Sequence, residues 1–332
     1  MRDFDRTFSA AVFFTAMVML GVGGAVILLR HQAVASHDAG VAATNHHVLV
    51  SPYAARPFLR GQPVIQTNRA AGQGLPRDLA RAYQRLGYSW ISIADINTTV
   101  PVASYNTEGM VEMVSDQASY GFGRFFAFGA DHHEDAATPQ AAIDWIHRSA
   151  AVAYLAQPSE PPNLTYDQVA ALRGLDGLEF YDAQLATQEP ALADATALWD
   201  QLLTAGHHVW GLVADNTVAA IPPRAVIGAT SVDVQVAAAN PLLIADALKN
   251  GAFVSSTGVR VLGVASDSGQ VTVVTSDATR IDFYGAGGRL LATTRGSQGV
   301  YRVHWDEKYI RAVATRDRDG ARAWTEPVFV IP

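Results

Sequence analysis

The sequence predicts an α/β fold in which a barrel-like parallel sheet is followed by a small antiparallel β subdomain. Between residues 48 and 258, short apolar runs alternate with helical segments, an order typical of parallel strands joined by helices. After Gly258 this alternation stops, and short β-rich runs are separated by turns such as those at residues 285–288 and 317–320. A chain of 332 residues with 49% hydrophobic content is long enough to bury a core of this size.

An apolar segment without charge, residues 8–29, lies near the start of the chain. At about 1.5 Å per residue, a helix of this length crosses a hydrocarbon core of about 30 Å. Arg2 and Arg6 precede it, which predicts a cytoplasmic N-terminus, a membrane anchor over residues 1–30 and an extracytoplasmic globular domain. Two alternatives stay open: secretion after cleavage near Ala33-Val34-Ala35, and a buried core helix.

Residues 31–47 lack periodicity and predict a linker, so the barrel is assigned to residues 48–258 and the β subdomain to residues 259–332. Helices are predicted where an apolar stripe begins at a capping residue or a proline and ends at a glycine. They cover residues 76–86, 139–150, 165–173, 191–205 and 242–250. Buried strands are predicted at residues 88–94, 151–155, 175–181 and 208–214.

The C-terminal part contains seven short runs of β-branched and aromatic residues. They cover residues 259–264, 271–275, 281–284, 290–294, 301–305, 309–315 and 323–331. This pattern predicts a small antiparallel subdomain packed on the barrel.

Charge and cysteine content exclude several classes of function. The formal net charge is −7, and the 24 lysines and arginines form no basic stripe with interleaved aromatic residues, which argues against a nucleic-acid partner. The chain has no cysteine, so disulfides, thiolate nucleophiles and cysteine-bound zinc are excluded.

Polar residues close two apolar runs of the predicted barrel: Gln66-Thr67-Asn68 follows one, and Asp95-Ile96-Asn97 follows the next. Further strings of similar character occur in order along the chain. They are residues 123–129 (GRFFAFG), 155–158 (LAQP), 174–181 (GLDGLEFY), 209–217 (VWGLVADNT), 251–258 (GAFVSSTG) and 323–327 (AWTEP). In this spacing, residues 64–332 resemble the PHP (polymerase and histidinol phosphatase) family, especially its CehA/McbA-like metallohydrolase branch. That family has His-x-His-x-x-x-Ser-Asp-Gly after its first strand and Thr-Asp-His-Asn after its second.

The resemblance implies a distorted (β/α)7 barrel whose metal-ligand positions have degenerated. Those positions hold Gln66, Asn68, Ile96, Arg124, Gln157 and Thr217, with Gln73 in place of an aspartate. Glu112 and Asp215 remain as carboxylates at ligand positions, with Asp95 nearby. Zinc and manganese sites in hydrolases use imidazole or carboxylate donors, and an arginine brings a permanent positive charge. The resemblance therefore predicts that the family's metal centre is absent and that no cofactor is bound; a residual zinc or manganese ion is the alternative.

Barrel sites lie at the carboxyl ends of the strands, so the polar side chains there are predicted to form a ligand-binding site. They are Gln66, Asn68, Gln73, Asn97, Arg124, Gln157, Asn216 and Thr217. Amides match hydroxyl groups, so we expect a saccharide or another small polyhydroxylated ligand, bound by a catalytically inactive binding or scaffold module. The plainer interpretation is that the amides only keep a polar core hydrogen-bonded. The sequence predicts no particular protein partner.

Two catalytic alternatives stay open. One is an active hydrolase of the PHP phosphoesterase type with an altered metal site, for which the loop at residues 131–135 (DHHED) offers other donors. The other is a metal-free, glycosidase-like enzyme in which Asp95, Glu112 and Asp215 supply a general acid and a general base.

Overall fold

Seven strands between residues 58 and 214 form a barrel. The computed structural model describes residues 48–217, 226–304 and 306–331. After the short strand β1 (Val48–Val50), the barrel strands are β2 (Phe58–Ile65), β3 (Trp90–Ile96), β4 (Val111–Tyr120), β5 (Gly123–Phe128), β6 (Val152–Ala156), β7 (Gly177–Asp182) and β8 (Trp210–Ala214). They pair in chain order, and a parallel bridge between Ile65 and Thr217 joins the last strand to the first. The predicted mixed α/β class is confirmed.

All barrel strands except β5 run in the same direction. β2, β3 and β4 pair in parallel, as do β6, β7 and β8, whereas β5 is antiparallel to both of its neighbours. The sequence did not predict this reversal. Because β5 runs backwards, its first residues lie beside the carboxyl ends of the neighbouring strands: Arg124 is opposite Ser119 on one side and Ala156 on the other.

In the described part of the chain, six helices connect or flank these strands. They are α1 (Pro76–Arg85), α2 (Pro139–Arg148), α3 (Tyr166–Ala170), α4 (Ala183–Gln188), α5 (Thr196–Thr204) and α6 (Pro241–Asn250). Single 3₁₀ turns occur at Val102–Ser104, Pro190–Leu192 and Ala286–Gly288. The capping signals act as predicted: Thr138 accepts a hydrogen bond from the Ala141 amide, Thr165 and Gln168 form a capping box, and Gly251 ends α6 in the left-handed region at φ 72°.

Three details of the helices differ from the prediction. α5 begins at Thr196 rather than residue 191, because the Ala193 carbonyl accepts from the Asp182 amide and holds the preceding segment against β7. α3 ends at Ala170, three residues early. α4, which follows β7 directly, was not predicted.

Most of the remaining strands extend the barrel sheet, and three form a sheet of their own. These remaining strands are β9 (Ser231–Gln235), β10 (Phe253–Ser256), β11 (Val261–Asp267), β12 (Gln270–Thr275), β13 (Arg280–Gly285), β14 (Arg289–Arg295), β15 (Gln298–Arg302), β16 (Tyr309–Arg316), β17 (Ala321–Thr325) and β18 (Val328–Ile331). β9 pairs with β2 and then with β10, which pairs with β17, so the C-terminal strands continue the barrel sheet. β11, β12 and β15 form a separate sheet.

Every pairing in the C-terminal part is antiparallel, as predicted. The predicted strand at residues 323–331 is two strands, because Glu326 and Pro327 interrupt it. β1 pairs with β18, so that Val48 lies opposite Ile331 and the two ends of the described chain meet.

A buried ion pair joins α5 to the C-terminal strands. Arg311 on β16 donates to Asp200 on α5 through Nε at 2.9 Å and Nη2 at 2.6 Å, and the Tyr309 hydroxyl donates to the same carboxylate at 2.8 Å. Bidentate pairing of this kind fixes the orientation of both side chains.

Among the described residues, no helix is both long and apolar enough to cross a membrane. The predicted anchor at residues 8–29, its flanking arginines and the predicted linker at residues 31–47 lie outside the described part of the chain.

Candidate functional site

A network of amide and carboxylate side chains lies at the carboxyl ends of the barrel strands. We call it the mouth network, and it consists of Gln66, Gln117, Gln157, Glu179, Asp182 and Asn216. These residues come from the ends of β2, β4, β6, β7 and β8. All are buried except Gln157, which is partly exposed. Parallel strands therefore bring together side chains that are up to 150 positions apart in the sequence.

Three glutamines form a chain across the mouth. Gln66 Nε2 donates to Gln117 Oε1 at 2.5 Å, and Gln117 Nε2 donates to Gln157 Oε1 at 3.2 Å. Gln157 Nε2 then donates to Asp182 Oδ2 at 2.9 Å. Gln117 and Gln157 thus accept through their oxygen and donate through their nitrogen, whereas Gln66 only donates, which gives this row of glutamines a direction.

Two carboxyl groups and one asparagine complete the network. Asn216 Nδ2 donates to Glu179 Oε1 at 2.5 Å and to Asp182 Oδ2 at 2.8 Å, so the two acids are close neighbours. Burial, and then the charge of Asp182, raise the pKa of Glu179 well above its ordinary value. Burial also raises the pKa of Asp182, against hydrogen bonds from Gln157, Leu185 and Asn216 that lower it.

The backbone at three strand ends adopts left-handed conformations. Asn97, Gln157 and Asn216 have φ of 54°, 45° and 45°, and each follows the carboxyl end of a strand. Asparagine tolerates this region, whereas glutamine is strained there. Gln157 is held in place by its side-chain bonds and by its backbone N–H, which donates to Glu179 Oε2 at 2.9 Å. Such strain is typical of a position that the surrounding contacts determine.

An ion pair borders the network. Arg124 Nη1 donates to Glu160 Oε2 at 2.7 Å and to Gln157 Oε1 at 3.3 Å. The reversed direction of β5 places Arg124 at the mouth, because the first residues of that strand lie beside the last residues of its neighbours.

Several buried polar atoms of the mouth have no hydrogen-bond partner among the described residues. They are Gln66 Oε1, Asn216 Oδ1, Thr217 Oγ1 and both amide atoms of Gln184, at the start of α4. More than about 90% of buried polar groups in proteins are hydrogen-bonded, so each exception calls for a physical explanation. At this mouth the exceptions lie within the network or next to it in the chain.

Some of the side chains that the sequence placed in the site make no hydrogen bond to the mouth network. Asn68 and Gln73 are exposed on the loop after β2, which is closed by a backbone bond from the Asn68 N–H to the Gly74 carbonyl. Asn97 is exposed, and its side chain bonds both the N–H and the carbonyl of Ser119. Asn97 therefore extends the pairing of β3 with β4. Thr217 is buried and closes the barrel through its backbone bridge to Ile65.

Glu112 does not lie at the mouth. It is the second residue of β4 and is opposite Ile91, near the start of β3, which places it at the amino ends of the strands. Its Oε1 accepts from the Thr107 amide at 2.8 Å, and burial raises its pKa. The β4 residue that reaches the mouth is Gln117, five positions later.

Asp215 is at the carboxyl end of β8, but its hydrogen-bonding capacity is used within the protein. Its Oδ2 accepts from the Tyr83 hydroxyl at 2.7 Å and the Gly228 N–H at 2.6 Å. Its Oδ1 accepts from the Thr230 N–H at 2.7 Å and hydroxyl at 2.8 Å. Gln62 bonds Thr230 and the Asp215 N–H. We call Gln62, Tyr83, Asp215, Gly228 and Thr230 the Asp215 cluster. Burial raises the pKa of Asp215 to about 6.

Asp95 is likewise engaged within the protein. It accepts from both the N–H and the hydroxyl of Thr67, at 2.5 Å each, and burial raises its pKa. Asp95 therefore fixes the start of the loop after β2. The three carboxyls proposed for catalysis from the sequence, Asp95, Glu112 and Asp215, are not brought together as one group.

The residues at the mouth do not fit a zinc or manganese centre of the PHP type. Neutral amides occupy most of it, and the cationic Arg124 lies among them. Across residues 48–217, 226–304 and 306–331, no group of three histidine, cysteine or acidic side chains is arranged to hold a metal ion. In the 131–135 loop, His133 Nδ1 contacts the buried Asp116 at 2.7 Å, and His132 contacts Asp131 and Glu134.

Four residues of this region were missed from the sequence. Glu179 and Asp182 carry a signal, since two acids three positions apart end an otherwise apolar strand. Gln117 and Glu160 carry none, because their contribution depends on the register of β4 and on a loop contact.

Comparisons with known proteins give structural similarities only. No family model matches the chain, and no curated protein matches it. A two-domain protein from Bacteroides vulgatus ATCC 8482, described as containing a predicted PHP-like metal-dependent phosphoesterase, aligns over 87% of this chain and 91% of its own, with 12% identity and a TM-score of 0.48. The lesion-specific endonuclease EndoQ from Pyrococcus furiosus aligns over 58% of this chain and 56% of its own, with 10% identity and a TM-score of 0.41. Similarities this low carry no argument about family or reaction.

Proposed function

We propose that this protein is a binding module for a small polar ligand, built on a degenerate PHP-like barrel of the CehA/McbA-like kind, without catalysis at the family's metal site. The observation that carries the proposal is the set of buried polar atoms at the mouth without partners among the described residues. A saccharide or another polyhydroxylated ligand would supply the missing hydrogen bonds.

The unpartnered atoms distinguish this proposal from a purely structural role for the amides. Leaving a buried polar atom without a partner costs about 1–3 kcal/mol. Amides that served only to keep a polar core bonded would be expected to satisfy one another, as Gln62 does with Thr230, Val64 and Asp215. Gln66 Oε1, Asn216 Oδ1 and the Gln184 amide instead have no partner within the part of the chain that the structure describes. This favours an external partner.

We also propose that the protein binds no cofactor. Support comes from the donor set: in the spacing of the PHP-like motifs, ligand positions hold Gln66, Gln157 and Arg124, which are unsuited to zinc or manganese. For localisation, we propose that residues 8–29 anchor the protein with the barrel outside the cytoplasm, with secretion after cleavage as the alternative.

A binding assay with a matched pair of variants tests the function. Gln66→Met removes an amide with a free oxygen, whereas Gln62→Met removes a fully bonded amide four residues earlier. The full-length chain is titrated with a panel of neutral monosaccharides, polyols, amines and phosphate esters by calorimetry. We expect at least one compound to bind, with affinity reduced about tenfold or more by Gln66→Met and retained by Gln62→Met.

Two outcomes contradict the proposal. One is the absence of binding by every class in the panel. The other is hydrolysis of a generic phosphomonoester or phosphodiester that a chelator abolishes, together with stoichiometric zinc or manganese by elemental analysis.

A second candidate is metal-free hydrolysis, and it moves to a different pair of acids. Glu179 and Asp182 both accept from the Asn216 amide and are therefore close to each other, as a general acid and base pair requires, whereas Asp95 and Asp215 are held in separate contacts. Chromogenic glycosides test this candidate. Turnover that disappears in Glu179→Gln would support it, and turnover that survives in both Glu179→Gln and Asp182→Asn would exclude it.

A further inference from the structure

The donors and acceptors of the glutamine chain are fixed from one end. Arg124 can only donate, and it faces Gln157 Oε1. Asp182 accepts at both oxygens, from Gln157 and Asn216 at Oδ2 and from the Leu185 N–H at Oδ1. The Gln157 amide therefore has one permitted orientation, with its oxygen toward Arg124 and its nitrogen toward Asp182.

The orientation of the Gln157 amide determines the orientation of the other two glutamine amides. Because Gln157 presents its oxygen, Gln117 must donate to it, and Gln117 therefore presents its own oxygen to Gln66. Gln66 uses its nitrogen in that bond, which leaves Oε1 at the end of the row without a partner among residues 48–217, 226–304 and 306–331.

The same logic fixes Asn216. Its nitrogen lies between the carboxyls of Glu179 and Asp182, since only a donor can bond both. Its oxygen is left without a partner among the described residues. The free atoms that the network orients, Gln66 Oε1 and Asn216 Oδ1, are thus both hydrogen-bond acceptors.

The charged groups at the mouth, like its acceptor atoms, favour a ligand that donates hydrogen bonds. The one cation that contacts the network within the described residues, Arg124, is paired with Glu160 at 2.7 Å. Glu179 and Asp182 have no cationic partner within hydrogen-bonding distance in the described part of the chain. The region is therefore acidic, and anions are disfavoured there.

From this geometry we infer that the mouth network binds a cationic, donor-rich ligand, namely an amine that carries hydroxyl groups, such as an amino sugar, and discriminates against phosphate esters. This inference rests on the proposed function and names the ligand class of the same site. An ammonium group offers three hydrogen-bond donors to the acceptor oxygens of Gln66 and Asn216, and its positive charge is attracted by Glu179 and Asp182. A phosphate ester brings acceptors to the same oxygens and a negative charge to the same acids, so it is disfavoured on both counts.

Three probes that share one ring provide the test: glucosamine, glucose and glucose 6-phosphate. Binding to the full-length chain is followed by calorimetry at about pH 6.5, where an amine with a pKa of about 7.7 is largely protonated. We expect glucosamine to bind about tenfold or more tightly than glucose, and glucose 6-phosphate most weakly. Equal or tighter binding of the phosphate ester overturns the inference and leaves the proposed function standing. Failure of all three overturns the inference, and failure of the whole ligand panel overturns the proposed function as well.

A surface variant sharpens the result without disturbing the buried network. Glu160 is partly exposed, and Glu160→Gln releases Arg124 from its ion pair. We expect the preference for glucosamine over glucose 6-phosphate to fall about tenfold in this variant. An unchanged or larger preference would contradict the inference that Glu160 neutralises Arg124 at the mouth.

The pH dependence gives an independent readout. Burial raises the pKa of both Glu179 and Asp182, so these groups take up protons at a higher pH than exposed carboxyls do. Affinity for glucosamine is expected to fall as the pH is lowered below about 6.5, where the amine stays protonated while the carboxylates take up protons, and affinity for glucose should change less. A parallel loss for both sugars would contradict a role for carboxylate charge.

Discussion

The mouth network and the Asp215 cluster are two buried polar regions at the same end of one barrel, and they use their hydrogen bonds differently. In the Asp215 cluster, one carboxylate accepts from four donors and both amide atoms of Gln62 are bonded. In the mouth network, Gln66 and Asn216 each keep a buried oxygen without a partner in the described part of the chain. Burial and charge alone would rank Asp215 as the functional group. Unused hydrogen-bonding capacity points to its neighbour Asn216 instead.

The largest expected effect is a difference in the free energy of unfolding between variants of the adjacent residues Asp215 and Asn216. Asp215→Ala removes the acceptor for Tyr83, Gly228 and Thr230, and we expect a loss of about 3–5 kcal/mol in the free energy of unfolding. Asn216→Gly preserves the left-handed backbone at φ 45° and should cost about 1–2 kcal/mol. Urea unfolding of both variants measures the difference. Equal losses would mean that both regions are structural.

The pH dependence of stability tests the buried carboxyl of the cluster. The pKa of Asp215 is about 6 in the folded protein and about 4 in the unfolded chain, so the folded state binds more protons between these values. The contribution of Asp215 is therefore fully present below about pH 4 and is lost as the pH rises through about 6, a change of the order of 2–3 kcal/mol.

Burial also raises the pKa of Asp116 to about 6, against its contact with His133, which lowers that pKa, so Asp116 acts in the same direction as Asp215. Urea unfolding from about pH 4 to about pH 7 measures both contributions, and Asp116→Asn isolates that of Asp215. Stability that rises with pH over this window would show that hydrogen bonds outweigh burial at Asp215.

A smaller difference in stability is expected between variants of two glutamines of the β2 segment, one from each polar region. Gln62→Met leaves Thr230 and the Asp215 N–H without their partner, so we expect a loss of about 1–3 kcal/mol. Gln66→Met breaks one bond to Gln117 but also removes an unpartnered oxygen, so its cost should stay within about 1 kcal/mol. Thermal and urea unfolding of the two variants decide between these outcomes. A larger loss for Gln66→Met would assign that residue to the structural core.

The smallest effect is expected for Glu112. Glu112→Gln keeps an acceptor for the Thr107 N–H and lies at the opposite end of the barrel from the mouth. Stability should change by less than about 1 kcal/mol, and ligand affinity should not change. Lost binding in a folded Glu112→Gln variant would return this residue to the site.

Local signals made part of this architecture predictable. Thr138, Thr165 and Gly251 mark helix ends through contacts with residues only a few positions away, so sequence spacing alone locates them. The alternation of strand and helix likewise indicates the α/β class.

Nonlocal features were not predictable in the same way. The reversal of β5 depends on the two residues between Tyr120 and Gly123, and it determines which side chains face each other. The register of β4 decides whether Glu112 or Gln117 reaches the mouth, and spacing within one strand does not fix its offset against a neighbour. The sequence thus identified Gln66, Gln157 and Asn216 at strand ends, but not the carboxyls that orient them.

The pairing of β1 with β18 has a practical consequence for engineering. Val48 and Ile331 are direct partners across an antiparallel pair, where opposite Cα atoms are about 4.5–5.5 Å apart. A short glycine-rich bridge can therefore join them, and a circularly permuted chain opened at an exposed turn such as Asp317–Gly320 is expected to keep the barrel and its mouth. Such a permutant would present the mouth network on a scaffold whose attachment point to a surface can be chosen freely.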